Sequence, residues 1–399
     1  MDTYHDEGHK FSPNSLTISG PVKLVGILKG KYALRSPNLE EAMLQVPRHH
    51  FLPVTEIENI YTDEPIVIRT SDGLATSSCS QPSVVAKMLE LLNPAPGDKV
   101  LEIGCGTGWA AALIGYLVSP SGGVTTIDIA SDVANEAILN LQRTGATNVE
   151  VVIGDGGLAY APNAPYDCIV ATVGIWDIPS PWLAQLRVGG KIVVPFWFNT
   201  LQFGALFQKM DDANTLILVG QCGQLGFMRL RGEFSGPDSY HYENDFRLDS
   251  EISDFESRQE LMALLKLPMR RDPASRLWTK EDLHFFTEFL ALTETHTVGI
   301  MDKKNRFGFS YGNGLYKESS LALLSPYVND SILYPFIVFG GCSAMTELLS
   351  LNQKWEDLGR PCGLAAVHIV ATPLGIKPLT RDSVGKRWMQ YQASFKTPP

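Results

Sequence analysis

Between residues 99 and 196 short apolar runs alternate with amphipathic stretches of helical period. The runs "KVLEIG" (99–104), "GVTTIDI" (123–129), "VEVVIGD" (149–155), "YDCIVAT" (166–172) and "GKIVVPF" (190–196) predict strands. In the first of these Val100, Leu101 and Ile103 predict a strand covered on both faces, as in a parallel sheet. Helices are predicted between them at "WAAALIGYLV", "ASDVANEAILNLQRTG" and "PSPWLAQLRV". This alternation predicts an α/β doubly wound Rossmann-like parallel sheet. "TLILVGQCGQLGFMRLRGE" (215–233) is expected to add closing antiparallel strands.

The flanks read differently. Residues 1–23 are a polar lead-in. "PNLEEAMLQVPRHHFLP" (37–53) predicts a helix ending near Val46, because Pro47 disfavours helix in the residue before it. "SQPSVVAKMLELL" (80–92) puts Val84, Val85, Met88, Leu91 and Leu92 on one helical face, with Ser80 as N-cap and Pro82 in the first turn. These segments and the alternating region form one domain, 24–233. A turn-rich stretch, 234–253, reads as a linker. Residues 254–399 then predict a smaller α+β domain, with helices at "FESRQELMALLKL", "KEDLHFFTEFLALT" and "SAMTELLSLNQKWEDLG" and strands at "YPFIVFGG" and "LAAVHIVATP".

A length of 399 residues agrees with two domains, and 44% hydrophobic with 19% charged residues is ordinary for a globular protein. The first residues show no basic segment followed by an apolar one, so a secretion signal is not expected. No run approaches the length of a membrane span. The six cysteines are scattered without a CxxC pair, which predicts reduced thiols in the cytoplasm and no structural metal. A net charge of −10 argues against nucleic acid as a partner.

Candidate chemistry begins at "DKVLEIGCGTGW" (98–109). Gly104, Gly106 and Gly108 allow a sharp turn whose amides come close to a ligand, ahead of a helix N-terminus. Glu102 precedes that turn, Asp128 ends the next strand, and Asp155 and Gly156 follow the third. An isolated strand-end Asp more often caps a helix, and a glycine run is more often a plain turn. Four such signals on successive strands converge instead on the crevice at the carboxyl ends of the sheet. A dinucleotide would use the first two signals only. The full series resembles the class I S-adenosylmethionine methyltransferases, and an acid-lined crevice suits a sulfonium cation better than a pyrophosphate.

"VPRHHFLP" (46–53), "YTDEPIVI" (61–68) and "SQPSVVAKMLELL" (80–92), followed by the glycine turn, narrow the resemblance to the protein-L-isoaspartate O-methyltransferase family over about residues 24–231. That resemblance implies S-adenosylmethionine as cofactor and a peptide or protein carboxylate as acceptor. It also implies a methyl ester that collapses to a succinimide. It places Ser80 beside the acceptor carboxylate, with Gln81 and Pro82 in the same loop. Ser83 stands where bacterial members commonly carry Tyr or His, and "TVGIWDIP" (172–179) replaces an Ala/Pro-rich loop. Thr172 and Trp176 are therefore acceptor-side candidates along with Gln81 and Ser83. More loosely, "GFMRLRGE" (226–233) and "WEDLGRP" (355–361) resemble methyltransferases of ribosomally made, modified peptides.

A carboxylate with pKa near about 4 is already a nucleophile at neutral pH, so no general base and no catalytic His are expected. Alternatives stay open at this point: a methyltransferase for small acids or hydroxyls, or a non-catalytic cofactor-binding scaffold. Residues from about 245 onward are expected to recognise the acceptor. Arg270, Arg271 and Arg276 are candidates to pair with an acidic peptide, against the plainer reading of a solvated basic loop.

Overall fold

The computed structural model describes residues 13–52, 57–71, 73–236, 240–243, 245–250, 252, 255–272, 278–306, 311–325, 336–374 and 383–395. They divide into two compact units, Met1–Gly156 and Gly157–Pro399.

In the first unit, α1 (Pro13–Gly30) is a helix where the sequence reads as lead-in. Its Leu24, Val25 and Leu28 are buried, while Pro21 and the flanking glycines dilute the periodicity that would have revealed it. The helix α2 (Pro37–Gln45) stops before Pro47 as predicted. A 3-10 turn (Arg48–Phe51), the short α3 (Ile57–Ile60) and an antiparallel hairpin of β1 (Ile66–Ser71) and β2 (Leu74–Cys79) follow. In α4 (Pro82–Leu92) the N-cap is Gln81, not Ser80, and Leu89 takes the buried place expected of Val84 and Leu91.

Next come β3 (Lys99–Ile103), α5 (Trp109–Val118), β4 (Gly123–Asp128), α6 (Ser131–Thr144) and β5 (Val149–Ile153). Strands β3, β4 and β5 are parallel, with Lys99 opposite Gly123 and Val124 opposite Val149. Val100, Leu101 and Ile103 are essentially fully buried, which is why this strand shows no alternation.

In the second unit, β6 (Tyr166–Ala171) is parallel to β7 (Leu186–Phe198), and the short α7 (Ser180–Gln185) connects them. The strand β7 begins inside the predicted helix 179–188 and continues past 196. It pairs antiparallel with β8 (Leu201–Lys209), which pairs in turn with β9 (Leu216–Gln224). Almost all of β8 is buried, so it lacks the two-residue alternation that marks a strand in a sequence.

The expected linker is not one: it holds the hairpin β10 (Tyr240–Glu243) and β11 (Phe246–Ser250). Phe246 and Leu248 are buried, and the intervening Arg247 pairs with Asp249 on the opposite face. Then follow α8 (Phe255–Leu264), β12 (Arg270–Asp272), α9 (Lys280–Thr293), β13 (Thr297–Asp302), β14 (Tyr311–Lys317), β15 (Ser320–Leu324), β16 (Phe336–Gly340) and α10 (Ser343–Asp357). The strands form an antiparallel sheet in the order β10-β11-β13-β14-β15-β16-β12. Alternate residues of its strands feed two cores. Ala322 and Val338 pack with Trp278, Phe286 and Trp355, while Leu323 and Ile337 pack with Leu261 and Met262.

The chain then leaves this sheet. The strand β17 (Val367–Pro373) pairs with β9, placing Ala371 opposite Leu216, and continues to β18 (Ser383–Gly385) and β19 (Met389–Phe395). Residues 367–395 of the expected C-terminal domain thus extend the sheet begun by β6.

Candidate active site

At the end of β3, Glu102 is fully buried. Its Oε2 accepts from Thr126 Oγ1 at 2.6 Å, and its Oε1 is buried without a hydrogen-bond partner. Burial pushes its pKa up to about 8; the Thr126 bond opposes this and the nearby Asp128 adds to it. Asp128, at the end of β4, accepts from Ala130 N at 3.0 Å and from Gly106 N at 3.4 Å. The turn between these acids needs glycine on geometry. Gly106 has φ +50° and would bring a Cβ to 3.2 Å from Ser78 O. Gly108, with φ +86°, caps α5 and would bring one to 3.2 Å from Leu141 Cγ. Gly104 N donates to Ile127 O at 2.7 Å, and Asn140 of α6 holds Thr107 O at 2.9 Å. Asp155 is half-buried just after β5. Gly156 leaves no room for a side chain, since a Cβ would lie 2.5 Å from Ile103 Cγ2.

The Ser78 carbonyl against Gly106 joins this turn to the strand that delivers Ser80. Two residues missed by the sequence reading shape that delivery. Arg48, 1% exposed, donates to the carbonyls of Ile60, Thr62, Glu64, Cys79 and Ser80 at 2.9–3.4 Å. Asp63 accepts from Ser83 N at 2.8 Å, Gln81 Nε2 at 3.3 Å and Lys31 Nζ at 2.6 Å. Burial would raise the Asp63 pKa, but the bonds from Lys31, Ser83 and Gln81 outweigh it and hold the carboxyl below its usual range. Gln81 and Ser83 therefore brace the loop through Asp63. Ser80, half-buried, stands between the two anchors and caps no helix. His49 bonds to the Tyr61 hydroxyl beside this cluster, a supporting role.

In the second unit, Thr172 directly follows β6 and Trp176 lies four residues on, both half-buried. Their loop is held by backbone bonds from Gly174 N to Met228 O (2.6 Å), Leu230 N to Gly174 O (2.9 Å) and Ile175 N to Pro195 O (2.8 Å). Asp177, 1% exposed, accepts from Trp388 N at 2.6 Å and Tyr391 Oη at 2.6 Å. Lys386 donates to Trp176 O at 2.7 Å and Trp197 O at 2.5 Å. Neither Asp177 nor Lys386 was singled out in the sequence, since each finds its partners about 210 residues away. Of the basic candidates, Arg270 is exposed and pairs with Asp272, Arg271 is exposed, and Arg276 lies outside the described residues.

The family model described as protein-L-isoaspartate(D-aspartate) O-methyltransferase matches residues 21–230, just over half of the sequence. The chain belongs to this methyltransferase family. A protein-L-isoaspartate O-methyltransferase of Methanopyrus kandleri is 40% identical over 220 residues, covering 54% of this chain and 94% of that protein. One from Pyrococcus horikoshii is 35% identical over 211 residues, covering 53% and 92%. A solved protein-L-isoaspartate O-methyltransferase structure is similar in fold with a TM-score of 0.52 at 24% identity. That likeness covers 88% of this chain and 96% of the other, so it runs on beyond residue 230.

As a member of the family the protein is a methyltransferase with the class I fold and S-adenosylmethionine as cofactor. The first unit fits that cofactor. Asp128 and the unpartnered Oε1 of Glu102 offer acceptors for its hydroxyl and ammonium donors, and the side-chain-free turn allows its close approach. The specific "VPR", "Y-D-P" and "SQP" elements also gain a physical meaning. They are Arg48, Asp63 and the loop those two residues hold.

Proposed function

We propose that the protein methylates the carboxylate of isoaspartyl residues in peptides and proteins, giving an ester that loses methanol to form a succinimide. The observation that carries this reading is the Arg48–Asp63 brace, which fixes the Ser80 loop at the end of a strand whose Ser78 carbonyl lies against the glycine turn. When bound, S-adenosylmethionine supplies an electrophilic methyl group on a positively charged sulfur. Ser80 donates its hydroxyl to one carboxylate oxygen and leaves the other oxygen to react. Arg48 holds the loop that carries that donor through five carbonyls, and a buried guanidinium with both terminal nitrogens engaged has little freedom to move. No side chain needs to take a proton, because the acceptor arrives ionised. The chain contributes alignment.

The names of the relatives support the isoaspartyl acceptor. The test is to incubate the full chain with S-adenosylmethionine and matched peptides carrying isoaspartate, aspartate or only a C-terminal carboxylate, and to read masses. A methyl gain on the isoaspartyl peptide is expected. Methylation confined to the other peptides, or to a small acid, overturns the reading. In the same assay Ser80→Ala is expected to slow turnover roughly ten- to several-hundred-fold, by analogy with loss of an oxyanion donor, while cofactor affinity holds.

A further inference from the structure

Lys386 and Asp177 are charged residues inside the second unit, 6% and 1% exposed, outside the site built on Ser80. They bind reciprocally. Asp177 belongs to the loop after β6 and holds the backbone of the C-terminal segment at Trp388 and Met389. Lys386 belongs to that segment and holds the loop backbone at Trp176 and the end of β7 at Trp197. Tyr391, fully buried, donates to Asp177 Oδ1 at 2.6 Å and accepts from Ile178 N at 3.0 Å. The Lys386 ammonium also lies 4.8–5.7 Å from the rings of Trp176, Phe196, Phe198 and Tyr391, within cation–π range.

Two physical points turn this arrangement into a functional statement. Ligands of such sheets sit outside the carboxyl ends of the strands, and this loop starts at the carboxyl end of β6. Burying two opposite charges is also a poor means of stabilisation, since well-packed apolar residues of similar volume often serve as well or better. What a charged clamp supplies that an apolar patch does not is directional contact with main-chain carbonyls and amides, and so one fixed loop conformation.

We infer that Lys386, with Asp177 and Tyr391, is a positioning residue that sets the Thr172–Ile178 loop for the acceptor peptide. The C-terminal segment then contributes to acceptor recognition through the shape of this loop. The inference rests on the proposed peptide carboxyl methylation.

The experiment uses the full chain with Lys386→Met and, separately, Tyr391→Phe, measured on an isoaspartyl peptide. In Lys386→Met, assayed well below its lowered unfolding midpoint, the peptide KM is expected to rise about tenfold or more, with kcat and cofactor affinity within about twofold of wild type. Tyr391→Phe, which removes one oxygen, is expected to raise the peptide KM roughly threefold or more and decides the matter if the first variant does not fold. An unchanged peptide KM in a folded variant overturns the positioning role and leaves the methylation reading intact. Losses that fall equally on cofactor affinity, kcat and unfolding midpoint also overturn it, as a merely structural effect. A wild-type chain with no activity on any peptide carboxylate overturns the methylation reading and this inference with it.

Discussion

Glu102 and Asp177 are both buried carboxylates near strand ends, yet their surroundings are opposite. Glu102 has one hydroxyl donor and an Oε1 without a partner, and burial pushes its pKa up to about 8. Asp177 has two backbone amides and a tyrosine hydroxyl as donors, with the Lys386 ammonium nearby. Burial still raises its pKa, against those bonds. A carboxylate saturated by its own chain is a structural fastener. One left with an open oxygen beside a bare glycine turn is suited to a ligand. The difference separates the two loops: the turn after β3 has an open acceptor beside it, and the loop after β6 is held by its own chain.

The largest effect expected concerns the fastener's far end. A chain ending before Val367 loses β17–β19, including the buried Ile369, Ala371, Met389 and Tyr391, and is expected to lose its cooperative unfolding transition in calorimetry. A truncated chain that unfolds at the full-length midpoint would show that these strands are dispensable and break the comparison. Next, Asp177→Ala leaves several donors unpaired and Lys386 uncompensated, a loss of about 3–5 kcal/mol readable by chemical denaturation. A change under about 0.5 kcal/mol, typical of surface sites, would place Asp177 outside the fastener.

On the ligand side, Asp128→Ala is expected to weaken S-adenosylmethionine binding by about 1–3 kcal/mol in calorimetry without a comparable stability loss. Unchanged affinity would mean that the cofactor's hydroxyls are held elsewhere. A further effect is a pH dependence. The folded pKa of Glu102 is raised above its unfolded value, so its contribution is fully present below about pH 4.5 and is lost as pH rises through about 8. The ligand-free protein is expected to lose stability over that window. Glu102→Gln should flatten the loss, and an identical pH profile in the variant would show that Glu102 is ionised in the folded chain.

The parallel strands, the glycine turn, Glu102 and Asp128 were legible because each signal is local. An apolar run marks a covered strand, and a residue at φ +50° or +86° favours glycine whatever surrounds it. The family motifs were also visible, but the roles of Arg48 and Asp63 inside them were not, because a buried guanidinium is defined by the carbonyls it meets. Three readings failed for related reasons. Residues 13–23 of the lead-in proved to belong to α1, whose apolar pattern is diluted by Pro21 and glycines, while residues 1–12 lie outside the described residues. The linker proved to hold the hairpin β10 and β11, in which Phe246 and Leu248 are buried while Arg247 pairs with Asp249 of its own strand. Ser80 proved not to be the cap of α4, since Gln81 takes that position.

By itself, then, the sequence determined the parallel strands and glycine turn of the first unit, where φ angles, apolar runs and strand-end acids act within a few residues of one another. Only the tertiary structure decided the fate of the C-terminal segment. The pairing of β17 with β9 and the bonds from Lys386 and Tyr391 to the loop after β6 join positions about 150 to 214 residues apart. Hydrogen bonding and burial at that separation depend on where the folded chain returns, and no local pattern encodes that return.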